Sequence, residues 1–186
     1  YGKGPADKMK HYSATDCRVQ NDTYVECRSV AVKPGIDRKG LQWVVQIEDQ
    51  ESEQSLDNST SYMRPLVSSL ENNVGMATEG GGTVSLIGLN FGYAGMGVSA
   101  YYGTPTAEYK YHTTDCSVVK DDTITCTNMP VKSNIRREGL HWIVVVENHE
   151  SDQSDDNTTS YSKPVIRSLQ GHTKLKTAAS SEVTIL

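Results

Sequence analysis

Two stretches of the chain alternate apolar and polar residues with a period of two. In "LQWVVQIE" (41–48), Leu41, Trp43, Val45 and Ile47 fall on one face; in "LHWIVVVE" (140–147), Leu140, Trp142, Val144 and Val146 do the same. Period two with large apolar residues on one side predicts a half-buried strand. "TVSLIGL" (83–89) sets Val84 and Leu86 inward, and "EVTIL" (182–186) sets Val183 and Ile185 inward. Pro65 and Pro164 mark boundaries between strands, because proline donates nothing to a ladder. No stretch carries a helical period, and "PADKMKHY" (5–12) predicts a single turn at most. Short strands broken by turn residues predict an all-β sandwich.

The alternation is written twice. "TDCRVQNDTYVEC" (15–27) matches "TDCSVVKDDTITC" (114–126), and "GLQWVVQIEDQESEQSLDNSTSYMRPLVSSL" (40–70) matches "GLHWIVVVENHESDQSDDNTTSYSKPVIRSL" (139–169). The offset is 99 residues from Cys17/Cys116 through Leu70/Leu169 to Val84/Val183. Tyr1 falls on Tyr102, Leu186 falls on Ile87, and nothing repeats 88–101. An internal repeat outranks any local reading. With 186 residues, two units of about 90–100 residues are expected, each large enough for one core.

Charge and composition narrow the function classes. A net charge of −5 without a basic stripe argues against a nucleic-acid footprint. No apolar run approaches the roughly 20 residues of a membrane span. Tyr1 is neither an initiator Met nor part of a signal peptide, so the reading is a processed protein or a slice of a longer one. The histidines (His11, His112, His141, His149 and His172) are scattered, and no nucleophile–base constellation occurs. The acidic loops 48–57 and 147–156 offer Asp152, Asp155 and Asp156 to Ca²⁺, but they lack the EF-hand spacing and glycine, so solvated loops are expected. "EGGGT" (79–83) precedes a strand rather than a helix, which removes the phosphate-cradle reading. No enzyme, metal or cofactor is expected.

Each repeat has Cys-x9-Cys: Cys17/Cys27 and Cys116/Cys126. The midpoints lie in turn-forming "QNDT" and "KDDT", so folding each segment as a hairpin sets its cysteines opposite each other. Disulfides are expected over a metal site, since no CxxC-type pair is present. Three Asn-X-Ser/Thr acceptors occur, Asn21, Asn58 and Asn157; the last two hold equivalent repeat positions, and N-linked glycans are expected. Disulfides and glycans together point to the cell surface or the extracellular space.

"SYMRPLVSSL…GGGTVSLIGLNFG…VSAYYG" resembles the IPT/TIG family. The matching residues are Pro65, Val67, Gly81, Gly82, Val84, Leu86, Gly88, Asn90, Phe91, Gly92 and Gly103, followed by "TITCTNMP" (123–130) and "TSY". Gly103 is followed by Thr104 where the family has a second glycine. The resemblance covers about 64–162 in full and the first repeat only from 1 to 63. It implies immunoglobulin-like β-sandwiches in tandem, with adhesion, receptor or surface roles. Some members act inside cells beside a DNA-binding domain; the cysteines, sequons and acidic charge disfavour that branch.

On this alignment residues 1–63 form a first domain lacking its initial strands, 64–162 a complete second domain, and 163–186 the opening strands of a further repeat. Those strands, carrying Val165, Ile166, Val183, Ile185 and Leu186, are expected to complete the first domain of another copy or of an adjacent repeat. Such strand addition is head to tail and propagates. The expected function is a glycosylated structural or adhesive protein, a protomer of a β-rich filament or tandem array. The alternative is a receptor ectodomain fragment that binds a partner protein.

Overall fold

A computed structural model describes residues 2, 12–105, 110–170 and 183–186. The turn expected in "PADKMKHY", up to residue 11, lies outside the described residues, as do His11 and His172. Among the described residues fifteen strands follow one another. In the first repeat they are β1 (Cys17–Asn21), β2 (Tyr24–Cys27), β3 (Gln46–Ile47) and β4 (Gln50–Glu51). Next come β5 (Leu66–Glu71), β6 (Thr83–Leu89), β7 (Val98–Gly103), β8 (Tyr111–Thr113), β9 (Cys116–Lys120) and β10 (Thr123–Thr127). The chain continues through β11 (Glu138–Val146), β12 (His149–Glu150) and β13 (Thr159–Ser160) to β14 (Leu169–Gln170) and β15 (Thr184–Ile185). The all-β expectation holds: every strand pair is antiparallel, and the described residues contain no helix.

The second repeat builds two sheets, β5-β6-β10-β9 and β12-β11-β7-β8, with β13 also on β11. One core lies between them. Val67, Leu70, Val84, Leu86, Val118 and Ile124 enter from the first sheet; Ala100, Tyr102, Tyr111, Leu140, Trp142 and Val144 enter from the second. The alternation read in "LHWIVVVE" is the cause: from Gly139 on, β11 alternates half-buried and buried positions and buries Leu140, Trp142, Val144 and Val146. Gly88 is required where β5 bulges against β6, because a Cβ there would overlap the carbonyl oxygen of Leu66 and the ring of Phe91. The core tyrosines and Trp142 carry polar tips, and each finds a partner. Tyr102 stacks on Trp142 with centroids 4.2 Å apart, its hydroxyl meets that of Tyr161 at 2.8 Å, and Tyr161 donates to Met129 O at 2.6 Å. Paired tips let buried tyrosine and tryptophan keep their packing without stranding a donor.

Both cysteine pairs form the expected cross-strand disulfides. Cys17 faces Cys27 across β1–β2, Cys116 faces Cys126 across β9–β10, and each pair has its Cα atoms 4.1 Å apart. A loop this short contributes roughly 2–3 kcal/mol in the chain-entropy account.

The first repeat keeps the bonding pattern of the second and loses its neighbours. Trp43 Nε1 donates to Thr60 Oγ1 as Trp142 Nε1 does to Thr159 Oγ1, both at 2.9 Å. Trp43 N donates to Ser55 Oγ and Trp142 N to Ser154 Oγ, again both at 2.9 Å. Tyr62 OH reaches Val30 O at 2.6 Å, the counterpart of the Tyr161 bond. Gly2 bridges Gln42 as Gly103 pairs with His141. Yet the strand expected over 41–48 is regular only at Gln46–Ile47. Leu41 is buried, Trp43 and Val45 are half-buried, and Ile47 is exposed. The reason is pairing: β11 pairs with β7 from His141 to Val146, whereas among the described residues only Gly2 takes the place of β7 in the first repeat, beside Gln42.

His149 opens β12, opposite Val146 of β11, and is buried, with Nδ1 lacking a hydrogen-bond partner among the described residues. Burial, then the charges of Lys39, Arg38 and Arg64, hold its pKa below the ordinary 6.5. The folded form therefore keeps this ring neutral at pH values where the unfolded chain protonates it. Stability is full above about pH 6.5 and falls as the pH drops from there toward the folded pKa. Thermal melts from neutral to mildly acidic pH are expected to show this loss, and His149→Gln is expected to flatten it. An unchanged slope in the variant would assign the acid sensitivity to other groups.

Candidate assembly site

The last described residues form a hairpin built like β5–β6. Leu169 pairs with Ile185 and Gln170 with Thr184, the same register as Leu70 with Leu86 and Glu71 with Ser85. Ser168 and Leu186 exchange bonds of 3.0 and 2.9 Å, and Arg167 N donates to Leu186 O at 2.8 Å. The sequence similarity of the two segments is thus also a similarity of strand pairing.

Their surroundings differ. In β5–β6, Val67 is 2% and Leu86 0% exposed; the counterparts Ile166 and Ile185 are 61% and 63% exposed. Val165, Leu169, Val183 and Leu186 are exposed as well. Val165 and Ile166 precede β14 and lie outside it. By the alternation of β5–β6, Ile166, Leu169, Val183 and Ile185 take the inward positions of Val67, Leu70, Val84 and Leu86 and are exposed here, whereas Val165 and Leu186 correspond to Leu66 and Ile87 on the opposite side.

A complementary surface occurs in the first repeat. In the second repeat β10 has β9 on one side and β6 on the other. Its counterpart β2 pairs, among the described residues, with β1 alone. Val19 is 58% exposed where Val118 is 3%. The uncovered face is a cavity of about 510 Å³ lined by Tyr12, Val19, Val25, Trp43, Val45 and Ile47, with the Cys17–Cys27 disulfide at its side. In the second repeat, Leu86 and Val84 of β6 stand opposite Ile124 and Cys126, the counterparts of Val25 and Cys27. A strand edge with unpaired backbone groups above an apolar cleft is a template for strand addition.

The seam between the repeats was not readable in the sequence. Arg38 is 1% exposed, and its guanidinium donates from Nη1 to Asn90 O and from Nη2 to Phe91 O, each at 2.9 Å. Burial lowers its pKa, and Tyr12, Glu147 and Asp121 oppose that shift. Gly92 has φ +94°, and a Cβ there would come within 2.6 Å of Arg38 Nη2. The Gly-Leu-Asn-Phe-Gly turn is shaped to receive this cation. Arg137 holds the same repeat position and is exposed, so the repeat itself gave no signal.

The acidic loops are occupied internally. Asp152 pairs with Arg64 at 2.8 Å. Asp156 accepts from Leu70 N at 3.1 Å and from Thr158 N at 2.8 Å. Among the described residues, no three His, Cys, Asp or Glu side chains converge as metal ligands. Asn21, Asn58 and Asn157 are all exposed. The hydroxyls of Thr60 and Thr159, third residues of two sequons, accept from the tryptophans, so those threonines serve the fold whether or not the asparagine carries a glycan. Among the described residues no helix is long and apolar enough to cross a membrane.

Compared with protein-family models, curated proteins and solved structures, the chain finds no match. The resemblance to the IPT/TIG pattern therefore rests on the residues that carry it. The two disulfides fit an oxidising, extracellular environment.

Proposed function

We propose that this chain is an extracellular, glycosylated structural or adhesive protein of the IPT/TIG kind, and that its copies join head to tail. The β14–β15 hairpin of one copy adds to the edge of β2 in the next, taking the place that β5–β6 holds on β10 in an immunoglobulin-like sandwich. One observation carries this reading. The hairpin has the register of β5–β6 with its apolar face uncovered, and β2 has the partners of β10 with one side missing. The added strand aligns Val25 with Ile185 and Cys27 with Val183, as Ile124 aligns with Leu86 and Cys126 with Val84. Burying four aliphatic side chains at about 1.5–3 kcal/mol each is of the size needed to offset the roughly 4–15 kcal/mol cost of association. The hairpin brings no counterpart of β7, so Trp43 to Ile47 lie outside this joint.

Native and denatured mass test the proposal. Large native species that fall to the 20.4 kDa polypeptide plus removable glycan on denaturation are expected. A large mass that survives denaturation would mean repeats within one longer polypeptide; a native monomer at every concentration would turn the cleft into a site for a strand of another protein, the receptor alternative. No mass loss on deglycosylation would remove the glycan.

A further inference from the structure

Contacts at the base of β5 and at the seam have counterparts that one chain does not bring together. Within the chain, Arg64 Nη1 lies 2.8 Å from Asp152 Oδ1 and its Nε donates to Glu150 O at 3.0 Å. These bonds tie the entry of β5 to the loop after β12. At the seam, Asn148 Nδ2 donates to Asp37 Oδ1 at 3.1 Å. Moving the hairpin side forward by one repeat and the receiving side back by one gives the pairs of a head-to-tail joint. Arg64 becomes Lys163 and Asp152 becomes Glu53; Asp37 becomes Arg136 and Asn148 becomes Asp49.

Both translated pairs carry opposite charges. The first keeps its polarity, cation on the hairpin side and carboxylate on the loop. The second reverses it: the acceptor Asp37 becomes the donor Arg136, and the donor Asn148 becomes the acceptor Asp49. Both members have changed, and the match has survived. All four side chains are exposed, and among the described residues none takes part in an ion pair. Continuity of spacing supports the translation, since "TSYMRPLVSSL" and "TSYSKPVIRSL" have equal length.

We infer that Lys163 and Arg136 of one copy pair with Glu53 and Asp49 of the next copy, and that these charges select the terminal hairpin for the joint. This rests on the head-to-tail reading above. The selection follows from the competitor. If the internal hairpin β5–β6 of another copy entered the cleft, it would set Arg64 against Glu53 but Asp37 against Asp49, two carboxylates. Like charges placed together reject a wrong partner more effectively than matched ones strengthen the right one.

Paired charge reversal in the full chain tests this. One variant carries Lys163→Glu with Arg136→Glu; the other carries Glu53→Lys with Asp49→Lys. Each alone is expected to self-associate about tenfold more weakly or worse at low salt, from lost pairs and added repulsion. Mixed in equal amounts, every joint regains opposite charges, and association is expected to return to near the wild-type level. The differences are expected to shrink at high salt, where exposed charges are screened. Variants that associate like wild type would overturn the ion pairs while leaving strand addition standing. Weakened variants with no rescue on mixing would also overturn the pairing. Failure of the wild-type chain itself to associate would overturn the head-to-tail reading instead.

Discussion

Ile185→Asp is expected to abolish self-association while leaving the melting of the second repeat unchanged. The two halves of this expectation have different origins. In the isolated chain Ile185 is exposed, so an aspartate there costs the fold almost nothing. In the proposed joint it takes the place of Leu86, which is 0% exposed and aligned with Ile124. There the substitution forfeits about 1.5–3 kcal/mol of burial and adds several kcal/mol for a carboxylate without a partner. Together these weaken association by at least about a hundredfold. Sedimentation velocity across a concentration series reads the association, and thermal melting reads the fold. Unchanged sedimentation would place the hairpin outside the joint; a collapsed melt would mean that Ile185 is needed within its own chain.

The second large effect separates the two tryptophans. Trp142 is fully buried, stacked on Tyr102 and bonded to Thr159. Trp142→Ala is expected to cost about 3–5 kcal/mol, the range for a buried large aromatic residue. Trp43 makes the same hydrogen bond to Thr60 but is only half-buried beside the open cleft. Trp43→Ala in unassembled material is expected to cost no more than about half as much, since less area leaves water. Denaturant unfolding of the two variants measures the contrast. Equal losses would show that the first repeat already has a covered core and would remove the cleft from the argument.

Local pattern carried a good part of this structure. The period-two alternation of "LHWIVVVE" became β11 because β7 and β12 pair with it. The Cys-x9-Cys spacing became two disulfide-clipped hairpins because a turn sits at each midpoint. The same alternation in "LQWVVQIE" yielded only a short strand, because a strand needs a neighbour that sequence periodicity does not supply. Arg38 escaped notice for a related reason: its burial depends on the carbonyl oxygens of Asn90 and Phe91 more than 50 residues away, and Arg137 gives no hint of it. The hydroxyls of Thr60 and Thr159 look in the sequence like parts of glycan acceptors; only the fold reveals the indole donors that use them.

Strand addition between copies is the central claim, and a cross-strand cysteine pair tests it most directly. Thr125 lies opposite Ser85 in β10–β6; one repeat away, Glu26 of the receiving copy faces Thr184 of the incoming hairpin. Glu26→Cys and Thr184→Cys are placed in separate chains, mixed and oxidised gently. The expected product is a disulfide dimer containing one of each, absent when either chain is oxidised alone and absent when Thr184→Cys is combined with Ile185→Asp. Homodimers forming as readily as the mixed species, or no dimer from a mixture that sediments as an assembly, would contradict strand addition in this register.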